Sequence, residues 1–272
     1  MRIEGSQIVL TGASRGLGAT LARALAARGA RLVLVARTEA ALAGLRAELG
    51  EADIALVGAD VATAEGRRAI VAAAEARGPI DALINNAGLF VAGELEDLAP
   101  ETVSQVLAVN LEAPIALTAL VLPGMIARKR GHIVNIASLG GLLPIGWGEV
   151  YAASKHGLVG FTRSLQIRLS EESTGVHASA VCPGFIGDVG MYTDHVDERV
   201  VQPRWLLRPC RSEDVVTAVI AALEGGTLER VVNSTPVGPL VVLNAASAAL
   251  GSRLTRWLGL HELIRRTFTA RP

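Results

Sequence analysis

Tyr151 and Lys155 close the run Tyr-Ala-Ala-Ser-Lys, so on a helix they share one side. That spacing puts an ammonium within reach of a phenol. A free tyrosine has a pKa of about 10 and is a poor base at neutral pH. A neighbouring cation stabilises phenolate and moves the group towards acid–base work. A surface Tyr and Lys one turn apart is also common, so the pair needs support. Ser138 supplies it, ending an apolar strand-like run upstream of Tyr151. The glycine-containing loop between them can return the chain so that both hydroxyls face one oxygen. Proton exchange at a carbonyl or alcohol oxygen is the chemistry such a set performs. Asn110 lies inside the long segment Glu101–Arg128, where an asparagine serves either a structural hydrogen bond or the site. Chemistry alone does not choose between them.

A second cluster suits phosphate. Thr11-Gly12-Ala13-Ser14-Arg15-Gly16-Leu17-Gly18 joins a strand to a helix. Glycines permit tight turns and close approach of a pyrophosphate to main-chain amides, and the helix beginning near Gly16 adds its positive end. A packing turn would explain one glycine but not three. The next strand ends Leu34-Val35-Ala36-Arg37-Thr38. An acidic side chain near this point would bind the ribose hydroxyls of NAD. Arg37, with Arg15 in the turn, instead favours a 2′-phosphate. NADP(H) is therefore expected over NAD(H).

The elements that must position these residues alternate along the chain. Gln7–Thr11, Arg31–Ala36, Asp53–Gly58, Asp81–Asn85, His132–Ser138 and Val176–Val181 read as strands. Several are nearly continuous apolar runs, as in parallel strands covered on both faces. Leu17–Arg28, Glu39–Leu49, Thr63–Arg77, Glu101–Arg128 and Val150–Glu172 read as helices. The expected fold is α/β: a single Rossmann-like, doubly wound parallel sheet with helices on both faces and a helical C-terminal extension. Ligands of such sheets lie beyond the carboxyl ends of the strands, where the motifs fall. Residues 1–235 form the dinucleotide-binding and catalytic domain, with 236–272 an amphipathic appendage rather than a second domain. In that tail Leu243, Leu250, Leu254 and Trp257 have spacings compatible with one helical face.

Composition narrows the setting. Lys plus Arg and Asp plus Glu number 26 each, which gives no basic excess for nucleic acid. Cys182 follows an apolar run and reads as a buried small hydrophobe, so a reducing, cytoplasmic location is expected. The first six residues lack the features of a secretory signal. Val231–Ser252 is uncharged and near the length of a bilayer, but its Pro, Gly, Asn and Ser residues argue against a transmembrane segment. The histidines show no metal-ligand spacing, so no metal is expected.

The combination resembles the short-chain dehydrogenase/reductase family over roughly Gln7 to Asn233. Thr11–Gly18 is similar to its cofactor signature, Asp60-Val61 to its adenine-contacting pair, and Asn85-Asn86-Ala87-Gly88 to its NNAG motif. Asn110, Ser138, Tyr151 and Lys155 fall on its catalytic tetrad, and Pro183-Gly184 on its post-strand pair. The resemblance implies that Tyr151 protonates the carbonyl oxygen, Ser138 orients it, Lys155 tunes Tyr151 and holds the nicotinamide ribose, and Asn110 maintains a water relay. It also implies a homodimer or homotetramer formed through the helices around 101–128 and 150–172.

Two departures stand out. Asp188 occupies the place where many relatives have a threonine that holds the nicotinamide carboxamide; the backbone of Ile186 is the substitute expected. The tail carries Arg253, Arg256, Arg265, Arg266 and Arg271 against Glu262. It could lie on an anionic membrane surface, but packing on the body, capping the cleft or clasping a partner is preferred. Leu142, Leu143, Ile145 and Trp147 make the loop before Tyr151 apolar, and Met191, Tyr192 and Trp205 fall in the covering segment. An apolar ketone or alcohol is the expected small-molecule partner. Arg204 and Arg208 read as a solvated lid face. Reduction of a carrier-bound or CoA-linked β-ketoacyl group is the alternative, against which the long tail counts. An NADP(H)-binding scaffold or sensor is the alternative of another class.

Overall fold

The computed structural model describes residues 1–191, 193 and 208–268, with side chains to 265. Among the described residues, seven strands, β1 (Gln7–Thr11), β2 (Arg31–Ala36), β3 (Ile54–Gly58), β4 (Ala82–Asn85), β5 (Gly131–Ile136), β6 (Val176–Pro183) and β7 (Glu229–Val232), form one sheet in the order β3-β2-β1-β4-β5-β6-β7. All six pairings are parallel. Chain order reverses between β1 and β4, so a crevice opens at their carboxyl ends.

The strands are apolar on both sides because both faces are covered. Helices α1 (Gly16–Ala26) and, later in the chain, Ser212–Gly225 bury Leu21, Leu25, Val215, Val219 and Leu223 against one face. Helices α2 (Ala43–Glu48) and α3 (Ala64–Glu75) follow β2 and β3. The opposite face receives Ile70 of α3, with Leu117, Val121 and Met125 from beyond α4 (Pro100–Leu107). A π-helical turn, Ala108–Glu112, joins α4 to α5 (Ala113–Ala127). The single helix expected over Glu101–Arg128 is thus two helices about a wide turn, and Asn110 lies in that turn. Pro100–Ala127 is long and apolar enough to cross a membrane by composition; here Val109, Leu117, Val121, Leu122 and Met125 fill the core, while Leu107 and Leu120 are exposed. Leu165 and Leu169 of α6 (Glu149–Glu171) complete this side. Ser212–Gly225 is α7.

The tail forms α8 (Gly238–Ala246), α9 (Ala248–Trp257) and α10 (Leu260–Phe268). The stripe expected through Leu243, Leu250, Leu254 and Trp257 is not the buried one: Leu250 and Trp257 are exposed, whereas Leu240, Leu258, Leu260, Leu263 and Ile264 are covered. Ser247 ends α8 and caps α9, accepting from the Leu250 amide, and Gly259 at φ +75° separates α9 from α10. These two breaks reset the helical phase. The turn after Val232 and the break at Ser247 divide Val231–Ser252 among a strand and two short helices, so it is no continuous span.

His132 on β5 is fully buried, and its Nε2 lies 2.9 Å from the Ser179 hydroxyl, which itself donates to the Thr227 carbonyl. The proton therefore sits on Nε2. Burial above all, with His177 and the N-terminal amine adding, lowers its pKa from 6.5 to about 3. The unfolded chain thus binds one proton more than the folded chain between those values, and stability falls as pH drops through this window by up to about 1.4 kcal/mol per unit. Urea titrations between pH 7 and 4 should show that loss, and His132→Gln should flatten it. An equal slope in the variant would remove His132 as the cause.

Candidate active site

The first turn of the site is built by packing. Gly12 has φ +66°, and a Cβ there would stand 2.8 Å from the Ala87 Cα; one on Gly18 would stand 2.0 Å from the Gly12 carbonyl oxygen. Only hydrogen fits at either position. The turn is then braced against the end of β4. Thr11 Oγ1 accepts from the amides of Asn86 at 3.0 Å and Ala87 at 3.1 Å, while Asn86 Nδ2 donates to the Thr11 and Gly12 carbonyls, both at 3.0 Å. Asn86 is thus a strut for the cradle before it is anything else. The sequence placed Thr11 at the start of the phosphate turn without a role of its own; here its hydroxyl braces that turn.

Helix α1 begins without a side-chain cap, Arg15 occupying the capping position. The amides of its first turn are therefore available to an anion at the cleft floor. Arg15 and Arg37 are exposed at the same end of the cleft. The donor set therefore fits a dinucleotide phosphate group, with guanidinium groups where a 2′-phosphate would lie.

At the other end β5 and α6 converge. The cleft has a volume of about 370 Å³ and is lined along its length by Gly12, Ser14, Arg15, Gly16, Leu17, Gly18, Arg37, Asp60, Val61, Asn86, Ala87, Gly88, Ser138, Tyr151, Lys155, Pro183, Gly184 and Ile186. Every expected site residue except Asn110 is on that wall. Lys155 is 4% exposed; its Nζ donates to the Ile136 carbonyl at 2.9 Å and lies 5.8 Å from the centre of the Tyr151 ring. Ser138 Oγ accepts from the Gly140 amide at 3.0 Å and lies 3.5 Å from the Pro183 carbonyl. The Phe90 ring meets Tyr151 edge-on, with centroids 4.8 Å apart.

Electrostatics differ here from the expectation that Lys155 lowers the phenol pKa. Burial raises the Tyr151 pKa, a hydrogen bond with Ser138 pulling against it. Burial also lowers Lys155 to about 8. Both shifts have one cause: apolar walls disfavour phenolate and ammonium alike. A neutral phenol is the form that donates a proton.

Asn110 is completely buried behind this wall. Its Oδ1 accepts from the Leu89 amide at 2.8 Å, and its Nδ2 donates to the Leu89 carbonyl at 2.8 Å and to Ser154 Oγ at 3.1 Å. Both amide protons are committed, so the side chain ties the segment after β4 to α6.

Several apolar expectations are corrected. Leu143, Ile145 and Met191 line the cleft. Leu142 instead packs beneath α6 with Leu158 and Val159. Trp147 faces the tail, its Nε1 donating to Glu94 at 3.1 Å and its ring lying under Arg265. A positive φ of 59° at Trp147 turns it away. Tyr192, Arg204 and Trp205 lie outside the described residues; Arg208 is exposed. Phe90, Phe185, Asn233, Leu260 and Ile264 line the cleft without having been expected to. Leu260 and Ile264 are distant in sequence, and no local pattern marks them.

Asp188 is exposed yet bound. Its carboxylate accepts from the Ser212 amide at 2.9 Å and the Ser212 hydroxyl at 2.8 Å, at the start of α7. Desolvation would raise its pKa, but these bonds outweigh it and the net shift is downward. Ile186 pairs with Cys210 in a short parallel bridge that uses the Phe185 carbonyl and the Gly187 amide. Ile186 exchanges neither bond of that bridge, and it lies on the cleft wall. Cys182 and Cys210 are buried free thiols, pushed by burial up to about 12 and about 11.

A parallel sheet with a glycine turn at its switch point and a Ser–Tyr–Lys set across the cleft defines a class of dinucleotide-dependent enzymes. The sequence profile of the short chain dehydrogenase family matches residues 6–199, and the chain belongs to that family. It is 37% identical over 268 residues to the ketoacyl reductase HetN of Nostoc sp., covering 95% of this chain and 91% of the relative. A variant actinorhodin polyketide ketoreductase crystallised with NADPH superposes with a TM-score of 0.75 at 32% identity, over 84% of this chain and 95% of that one. A short-chain dehydrogenase/reductase from Burkholderia phymatum in complex with NAD gives 0.81 at 27% identity, over 92% and 96%.

Proposed function

We propose that this protein is an NADP(H)-dependent oxidoreductase that interconverts a ketone and a secondary alcohol on an apolar substrate. The observation that carries the reading is the placement of Ser138, Tyr151 and Lys155 on one cleft wall, with the uncapped start of α1 at the other end. A bound nicotinamide supplies or accepts the hydride. Tyr151 gives the substrate oxygen its proton, and Ser138 orients that oxygen. Lys155, held by the Ile136 carbonyl, contributes positive charge beneath the phenol and a donor for the ribose. Asn110 is a positioning residue that holds the Leu89 segment after β4 and α6 in register, the frame on which a water relay towards Lys155 would run. The Ile186 backbone takes the carboxamide role, since Asp188 is engaged in starting α7.

One solved relative binds NADPH and another NAD. Arg37 and Arg15 place this chain with the former. Cys182 and Cys210 as thiols suit a reducing compartment such as the cytoplasm. Exposed Leu107, Leu120 and Ile167, on and beside α4 to α6, support a homodimer or homotetramer through these helices. Sedimentation at micromolar concentration should show no monomer, and a purely monomeric species would overturn this assembly.

The second reading names the substrate as a carrier-bound or CoA-linked β-ketoacyl group. The match to a ketoacyl reductase over 95% of this chain favours it, because an alignment of that extent runs into the tail. The tail is therefore no argument against it. A panel of β-ketoacyl thioesters and simple apolar ketones, followed by NADPH absorbance and product identification, decides between them. Turnover of thioesters at least tenfold above the ketones selects the second reading. Tight NADPH binding with no turnover of either set would leave only the cofactor-binding scaffold.

A further inference from the structure

We infer that helix α10 of the C-terminal extension forms the outer wall of the substrate end of the cleft, and that Leu260 and Ile264 select substrates with an extended apolar body. The inference rests on the ketone-reducing reading of this cleft. Leu260 and Ile264 are one helical turn apart and so project from one side of α10. Both line the cleft, and they share a cluster with Leu139 and Leu143 of the loop after Ser138. Phe90 packs against the same cluster and also meets the Tyr151 ring. Phe90 thus links the cluster that holds the tail to the phenol. Among the described residues, Phe90, Leu139, Leu143, Ile145, Leu260 and Ile264 give this end an extended apolar surface.

The next residues along α10 fasten it to the loop that carries the site. The Gly146 amide donates to His261 Nδ1 at 2.9 Å. Nδ1 is therefore the acceptor, and the proton on Nε2 points to Thr255 Oγ1 at 3.3 Å. Gly146 permits this approach, since a Cβ there would lie 2.8 Å from Nδ1. Arg265 lies over the Trp147 ring at 5.7 Å. The loop before Tyr151 is thus clamped from outside by residues 261 and 265 while 260 and 264 face inward. His261 is a positioning residue: it sets where the wall stands without touching substrate.

Each buried methylene contributes about fourfold to binding. The test is kcat/KM of the full-length protein for N-acetylcysteamine thioesters of 3-oxo acids of four to twelve carbons, with NADPH. Wild type should favour the longer members. Leu260→Ala and Ile264→Ala should each lower the twelve- to four-carbon ratio about tenfold, and Ile264→Phe, which fills that end, should move the optimum to shorter chains. His261→Phe should raise KM for the longest member more than it lowers kcat, and His261→Gln, which keeps an acceptor for Gly146, should largely restore it. A length profile unchanged in all three wall variants, or lowered equally at every length, overturns the inference. If an alanine variant does not fold, Ile264→Phe decides. If wild type turns over no member, the reductase reading is what fails, and calorimetric binding of the twelve-carbon thioester to wild type and Ile264→Phe then decides the wall: weaker binding in the variant supports it and equal binding overturns it.

Discussion

Tyr151→Phe is expected to lower kcat for ketone reduction by about 10²–10⁴-fold, the range of a positioned general acid, while the NADPH dissociation constant stays near the wild-type value. The change removes one hydroxyl and leaves the ring edge-on to Phe90. The glycine turn, Arg15 and Arg37 that would hold the dinucleotide are untouched. Stopped-flow absorbance and fluorescence titration read the two quantities separately. Near-normal turnover would remove Tyr151 from the chemistry. The direction of its pKa shift adds a second readout. Burial raises the phenol pKa, so the proton is present for reduction at neutral pH and must be lost for oxidation. Oxidation should therefore accelerate from neutral to mildly alkaline pH while reduction does not. Ser138→Ala removes the hydrogen bond that pulls this pKa down, so the oxidative limb should move further to the alkaline side.

Arg37→Asp is expected to shift the ratio of kcat/KM for NADPH over NADH by about a hundredfold towards NADH. A charge-assisted hydrogen bond is worth about 1.5–3 kcal/mol, and the new carboxylate both repels a 2′-phosphate and accepts from ribose hydroxyls. Arg37 follows β2 at the exposed rim of the cleft, where the side chain can reach a bound nucleotide without repacking. Exposure also makes the contact sensitive to screening, so the wild-type preference should weaken as salt rises. A wild-type enzyme that prefers NADH would contradict the assignment, and Arg15 would then read as a solvated residue.

Legibility in the sequence followed the range of the forces involved. Strands β1 and β2 lie where their apolar runs placed them, because a strand covered on both faces records its burial in consecutive residues. The turn from Thr11 to Gly18 was readable because steric exclusion at Gly12 and Gly18 permits one residue type. Tyr151 and Lys155 were readable because a helix fixes the relation of i to i+4. The tail failed on the same rule: its helical phase is reset at Ser247, so a stripe drawn from Leu243 across that break to Leu250, Leu254 and Trp257 joined residues of two different helices.

The sign of the Tyr151 shift could not be read from Lys155 alone. It depends on the apolar walls supplied by Phe90 and the loop after Ser138, which enter the site from other segments. Asn110 was ambiguous for a related reason, since its partners Leu89 and Ser154 are brought together only when the segment after β4 and helix α6 meet at the π-helical turn. Local order along the chain thus determined what pointed to the reaction class: the elements, the glycine turn and the Tyr151–Lys155 pair. Tertiary packing decided the electrostatic state of that pair and the walls of its cleft. Desolvation and the reach of Leu260 and Ile264 depend on contacts between residues far apart in sequence, and no spacing rule records those.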